Sequence, residues 1–237
     1  MPLAVVTGAG QRLGRAIALG LAARGYAVGL HYHASAQAAE EAAAEIRAQG
    51  GQAFLAQADL RDAEQIARLF AQVDGWGHPL RVWVNSAAVM PAQDADTMAA
   101  EDWDAVMDLN LRAPFLCAQQ AAQRMDSGGV IINLSDSGAV KAWSGFPAYT
   151  VSKAGVEALT RVLARRWGPR VRVNAVAPGL ILRGEMTSAE EWQSLTGRLP
   201  MRTGGGPQDV VRAVAFLIEN PYITGETLVV DGGYRLI

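Results

Sequence analysis

Short runs of consecutive apolar, often β-branched residues alternate along the chain with longer stretches in which alanine, leucine and charged residues recur at helical spacing. The runs at 3–7 (LAVVT), 27–32 (AVGLHY), 52–60, 80–87, 130–135 and 171–178 predict strands, and 226–233 predicts a final edge strand. Helices are predicted over 12–24, 36–49 and 62–73, with two longer apolar-rich helical stretches at 101–124 and 149–166. The strand runs are apolar at successive positions, so both faces of each strand must be covered. Strand–helix alternation of this kind predicts an α/β fold, a doubly wound and mostly parallel seven-stranded sheet with helices on both faces.

One stretch departs from the pattern. From 180 to 208 polar residues, a few Met and Trp and the run GGG (204–206) replace the apolar periodicity, and SAEEW (188–192) predicts a short helix with Ser188 as N-cap. A connection of that length between core elements predicts a substrate loop. No linker, repeat or low-complexity tail divides the chain, so residues 1–237 are read as one domain.

Composition narrows the class without naming a chemistry. Half of the residues are hydrophobic and 19% charged, which excludes disorder, and 21 basic against 23 acidic residues leave no excess for nucleic acid or an anionic membrane. The N-terminus MPLAVVTGAG has neither a basic region nor a long apolar core, and no apolar run approaches the roughly 20 residues that span a bilayer. The single cysteine, Cys117, rules out an internal disulfide framework and fits a buried helix position and a cytoplasmic location. The partner expected is a small molecule, with no metal.

The glycine turn TGAGQRLG (7–14) lies between the first strand and the first helix. Gly8, Gly10 and Gly14 would let backbone amides approach a pyrophosphate at the positive end of that helix, which predicts a dinucleotide site. Arg12, inside the turn, is either a solvated helix-start residue or a donor to a phosphate or substrate oxygen. The second strand ends LHYHAS (30–35) with no acid before Glu40, so His33 and Ser35 are read as donors to a 2′-phosphate and NADPH is the expected cofactor; His31 is read as a strand-end residue without function. Asp59 is placed to accept from an adenine amino group or to cap the following helix, or both.

Tyr149 and Lys153 stand one helical turn apart, which puts an ammonium beside a phenol and favours the phenolate needed in proton transfer. Thirteen positions before the tyrosine stands Asp136, between Ser135 and Ser137. Strand alternation turns the two serines away from it. A carboxylate would repel the alkoxide that develops in ketone reduction. A carboxyl suits a ring that offers N–H groups and basic nitrogens. Asp136 therefore points to C=N reduction, with a turn cap as its bland alternative.

With Thr7–Gly14, Asn85, Asn110, Tyr149–Lys153 and VAPG (176–179) in this order, the chain resembles the short-chain dehydrogenase/reductase family over essentially its whole length. Within it, Arg12 in TGxxxRxG, the His-Tyr-His-x-Ser strand end and Asp136 resemble the pteridine and dihydropteridine reductases. The resemblance implies a Rossmann-type fold and NADPH-dependent reduction of a pterin or dihydrofolate. It implies a cofactor held along Gly8, Gly10, Arg12, Leu13, His33, Ser35, Asp59, Leu60, Asn85, Ser86, Ala87, Tyr149, Lys153, Pro178, Gly179 and Ile181. It also implies Lys153 on the nicotinamide ribose, Asn110 as a helix brace holding a water that leads to Lys153, a substrate against Arg12, Val89, Asp136 and Tyr149, and a homotetramer.

Two positions depart from that pattern. Ala34 stands where those relatives carry arginine, and Val89 where they carry a ring that stacks on the pterin. Met90, Trp143 or Trp192 are the residues that could replace the ring. The alternatives are an NADP-dependent carbonyl or 3-oxoacyl reductase, which Val89 favours, and a non-catalytic NADP-binding sensor or scaffold.

Overall fold

In a computed structural model of the chain, which describes residues 1–126, 128–184 and 187–237, the strands are β1 (Leu3–Val6), β2 (Ala27–Tyr32), β3 (Ala53–Gln57), β4 (Leu80–Asn85), β5 (Gly129–Leu134), β6 (Val171–Pro178) and β7 (Thr227–Val230). They form one sheet in the order β3-β2-β1-β4-β5-β6-β7, and every pairing is parallel. The order reverses between β1 and β4, where a parallel sheet opens a crevice at the carboxyl ends of its strands. The expected strands at 27–32 and 171–178 coincide with β2 and β6. Others end earlier than their apolar runs, because Thr7, Ala58, Ser86 and Ser135 leave the sheet to line or brace that crevice.

Strand alternation sends successive side chains to two cores. Ala4, Val6, Val28 and Leu30 meet α1 (Arg12–Ala22), α2 (Ala36–Ala48) and α8 (Pro207–Glu219) on one face. Leu3, Val5, Trp83 and Ile131 meet α3 (Ala63–Gly75), α5 (Ala113–Arg124) and α6 (Pro147–Trp167) on the other. In the second core Trp83 stacks on Phe70 at 4.5 Å, and its indole N–H donates to Asn85 Oδ1 at 2.7 Å. Truncating a buried ring of this kind costs about 3–5 kcal/mol.

The helical stretch expected at 101–124 is interrupted. α4 (Ala100–Met107) runs into a π turn at Asp108–Arg112 before α5 resumes. Pro114 has no N–H to give the carbonyl of Asn110 four residues earlier, and the widened turn absorbs that lost bond. The loop expected at 180–208 contains α7 (Ala189–Gly197), closed by a capping box in which Ser188 Oγ accepts from Glu191 N–H and Glu191 accepts from Ser188 N–H. Gly205 N–H donates to Leu180 O at 2.9 Å, which ties the two ends of this segment. Residues 185 and 186 of that loop lie outside the described residues. No described helix is long and apolar enough to cross a membrane.

Candidate active site

At the β1/β4 switch point the strand ends open into a cleft of about 750 Å³. Its floor is the glycine turn after β1. Gly8 has φ +64°, and a Cβ on Gly14 would collide with the Gly8 carbonyl, so α1 abuts the turn with no room for a side chain. Thr7 Oγ1 accepts the N–H groups of Ser86 and Ala87 at 2.9 and 3.0 Å, joining the turn to the loop after β4. Gln11 at the N-cap of α1 makes no side-chain cap and the first turn carries no acid, which leaves first-turn amides of α1 directed at the cleft. These features fit a pyrophosphate: bare N–H groups, a positive helix end and no competing carboxylate. Arg12 opens α1 with φ +50°, exposed on the cleft beside Leu13.

Gly10 departs from its expected place. It faces α2, where a Cβ would come within 2.8 Å of Ser35 Oγ, so this glycine serves the approach of α2. Asn85 departs as well. Its side chain turns under the sheet, accepting from Trp83 and donating to Asn133 Oδ1 at 2.8 Å and to the Pro114 carbonyl at 3.2 Å. A β4 residue alternates faces, and position 85 falls on the core side, so Ser86 and Ala87 line the cleft instead.

The far end of the cleft is built from His33, Ala34, Ser35, Asp59, Leu60 and Arg61. Arg61 forks onto Asp59, with Nε 2.9 Å from Oδ1 and Nη2 2.6 Å from Oδ2, and this hydrogen-bonded guanidinium holds the carboxyl down at about 2. His33 Nε2 lies 3.8 Å from Asp59 Oδ2. The expectation that Asp59 caps the next helix is corrected. Asp62 is the N-cap of α3, accepting from Glu64 and Gln65 N–H. His31, expected to be idle, is buried with both ring nitrogens engaged, by Gly8 N–H at 3.2 Å and the Ala58 carbonyl at 3.0 Å.

At the near end Tyr149, Lys153 and Asp136 come together. Tyr149 Oη donates to Asp136 Oδ2 at 2.7 Å, and Asp136 Oδ1 accepts from Gly138 N–H at 2.6 Å. The two alternatives for Asp136 thus coexist, since one oxygen caps the 3₁₀ turn Ser137–Val140 and the other holds the phenol. Burial pushes the Asp136 carboxyl up, and burial together with the Asp136 charge keeps the Tyr149 phenol protonated. The expectation that Lys153 makes the phenol more acidic is therefore outweighed here. Lys153 Nζ donates to the Leu134 carbonyl at 2.8 Å and lies 5.6 Å from the Tyr149 ring centre. Burial draws its ammonium down to about 8. Ser135 lines the cleft with Asp136, against the expectation that both serines face away, but its Oγ is taken up by the Lys153 carbonyl and Glu157; Ser137 Oγ is buried without a partner among the described residues.

Asn110, on the π turn, grips the backbone of Val89: Oδ1 accepts from Val89 N–H at 2.9 Å and Nδ2 donates to Val89 O at 2.8 Å. A third bond, again from Nδ2, reaches Ser152 Oγ on α6. The side chain is thus a clamp between the loop after β4 and the helix that carries Tyr149 and Lys153. Val89 and Met90 are more than 40% exposed on the cleft rim, with no ring between them.

Rings stand elsewhere on the wall. Trp143, Trp192 and Tyr234 line the cleft with Pro178, Gly179 and Ile181. Trp143 and Tyr234 lie 6.1 Å apart, and Lys141 Nζ sits 4.0 Å over the Tyr234 ring while donating to the Tyr234 carbonyl at 3.0 Å. Tyr234 escapes a motif reading because it lies 85 residues beyond Tyr149, on the 3₁₀ turn after β7. Its only signal is a ring just past the carboxyl end of a strand, where parallel sheets bind ligands.

A profile of the family described as enoyl-(acyl carrier protein) reductase matches residues 8–235. The chain is 38% identical over 238 residues to the 3-oxoacyl-[acyl-carrier-protein] reductase FabG of Staphylococcus aureus, covering 97% of this chain and 96% of that protein. It is 37% identical to 3beta-hydroxysteroid dehydrogenase 1 of Eggerthella lenta, with 98% and 93% covered. Among solved structures it is similar to FolM alternative dihydrofolate reductase 1 of Brucella suis in complex with NADP, at TM-score 0.94 and 31% identity, covering all of this chain and 95% of that one.

Proposed function

The chain belongs to the short-chain dehydrogenase/reductase family, and we propose that it is an NADPH-dependent reductase of a C=N bond in a dihydropteridine-type ring, a pterin or dihydrofolate. The observation that carries this reading is the 2.7 Å bond from Tyr149 to Asp136. A ketone reductase profits from a neutral hydroxyl beside the tyrosine, because the developing oxyanion needs donors. Here the partner is a carboxyl whose proton affinity is raised by burial. Such a group accepts from a ring N–H when ionised and returns a proton when neutral. The similarity to a FolM dihydrofolate reductase supports the same substrate class.

The cofactor, when bound, supplies a hydride to the carbon of the C=N bond. The first turn of α1 and the glycine turn bind the pyrophosphate. His33, Ser35 and Arg61 offer donors at the 2′-phosphate end, where Arg61 lines the same part of the cleft as Ala34. Lys153 holds positive charge beneath Tyr149, which passes a proton to the ring nitrogen and is reprotonated through Asp136. Trp143, Trp192 and Tyr234 are the rings on the cleft wall that stand in for the missing one at Val89. A surface groove of Met107, Leu111, Phe115, Gly155 and Leu159 with Asp108 and Arg112 supports the expected homotetramer.

A 3-oxoacyl thioester is the second reading, favoured by the 38% identity to FabG and by Val89. Purified chain with NADPH is to be offered 7,8-dihydrobiopterin, dihydromonapterin, dihydrofolate and a 3-oxoacyl thioester, with loss of the nicotinamide absorbance as readout. Turnover of a dihydropteridine substrate at higher kcat/KM than the thioester is expected. The reverse order overturns the pterin assignment.

A further inference from the structure

We propose that His31 is a positioning residue for the dinucleotide, a neutral imidazole pillar that fixes the glycine turn and the end of β3 relative to one another. The inference rests on the cofactor reading above. His31 lies on β2 behind the glycine turn and is 2% exposed. Gly8 N–H can only donate, so Nδ1 must accept; the Ala58 carbonyl can only accept, so Nε2 must carry the hydrogen. The two contacts therefore select one uncharged tautomer: the other tautomer keeps neither, and the cation keeps the Ala58 contact but loses that to Gly8.

The geometry gives this ring a task. Gly8 is the residue of the turn with φ +64°, and Ala58 immediately precedes Asp59 and Leu60, the opposite wall of the cleft. One ring thus spans β1 and β3 across β2 and sets the separation of two loops that must hold the two ends of one nucleotide. The Gly8 amide, bound to His31 from behind, is turned so that the remainder of the turn faces the cleft. Removing the ring takes the partner from a half-buried donor and a buried acceptor, and the turn has no second side chain holding Gly8 N–H among the described residues. Each unpaired group costs on the scale of a tenfold change in an equilibrium constant.

The test compares wild type, His31→Leu and His31→Gln for NADP⁺ binding by calorimetry and for kcat at saturating NADPH. Leucine, of similar bulk, should weaken nucleotide binding about tenfold or more, with kcat at saturation within about threefold, since Tyr149, Lys153 and Asp136 are untouched. Glutamine offers one donor and one acceptor and should restore part of the affinity. Wild-type affinity in the leucine variant, an equal fall in kcat, or glutamine no better than leucine overturns the role. The imidazole ¹⁵N spectrum of the wild-type chain needs no variant: a hydrogen on Nδ1 at neutral pH overturns it too. A wild-type chain that binds no dinucleotide overturns the cofactor reading and this inference together, whereas intact binding in His31→Leu overturns this inference alone.

Discussion

Tyr149 donates its phenolic hydrogen to Asp136 Oδ2 at 2.7 Å, while the other oxygen of the same carboxylate caps the 3₁₀ turn through Gly138 N–H. Asparagine at 136 can keep the cap, because its carbonyl oxygen also accepts, but it cannot carry a proton. Asp136→Asn should therefore lower kcat on a dihydropteridine by about 10²–10⁴-fold with little change in thermal midpoint. A rate near wild type would leave Asp136 as a cap alone. Asp136→Ser should gain on a ketone what it loses on the pterin, since a neutral donor then stands beside the phenol.

The alkaline limb of activity is expected from Lys153. Burial has drawn its ammonium down to about 8, and the Tyr149 phenol stays protonated well above that. As pH rises through about 8 the lysine loses the charge that stabilises the phenolate left by proton transfer, so kcat/KM, which reports the free enzyme, should fall there. Lys153→Arg keeps its charge through the whole range and should lose that limb, at reduced rate. A limb that stays near pH 8 in the arginine variant would assign it to another group.

Sheet, helices and the Tyr149–Lys153 pair were legible because apolar periodicity and i,i+4 spacing are local. The same alternation points to a parallel sheet, while the order β3-β2-β1-β4-β5-β6-β7 comes from the structure. Less legible were the residues whose partners lie far along the chain. The family resemblance puts Asn85 along the cofactor, but its amide completes a buried chain with Trp83 and Asn133. His31 looked idle because nothing local hints that its two partners sit 23 and 27 residues away. Asp59 and Asp62 are equally good caps by type, and only the backbone of α3 decides for the second. Tyr234 reaches the cleft through the parallel crossover to β7, which no spacing rule announces.

Val89 supplies a gain-of-function prediction. It is 42% exposed on the rim, and Asn110 fixes its backbone through both N–H and C=O. A ring installed on so rigid a position has room and a set direction. Stacking of a base on an aromatic ring is worth about 1–3 kcal/mol, so Val89→Phe should lower KM for a dihydropteridine about tenfold. KM for a 3-oxoacyl thioester should not improve, having no planar ring to stack. Equal effects on both substrates would mean the added ring acts only by narrowing the cleft.

His31 also makes a prediction about stability. Burial holds its imidazole at about 4, against about 6.5 for a free histidine, with His33 lowering it further and the Ala58 carbonyl and Asp59 opposing. Between those values the unfolded chain binds a proton that the folded chain refuses. The contribution is therefore complete above pH 6.5 and is lost as pH falls towards 4, by up to about 3 kcal/mol. Glutamine does not titrate, so His31→Gln should lose less stability than wild type between pH 7 and pH 4.5, although it starts lower. Urea midpoints at the two pH values measure this, and the carboxylates common to both proteins cancel in the comparison. Identical losses would mean that the ring takes up its proton while keeping its contact to Gly8, which two N–H groups facing each other forbid.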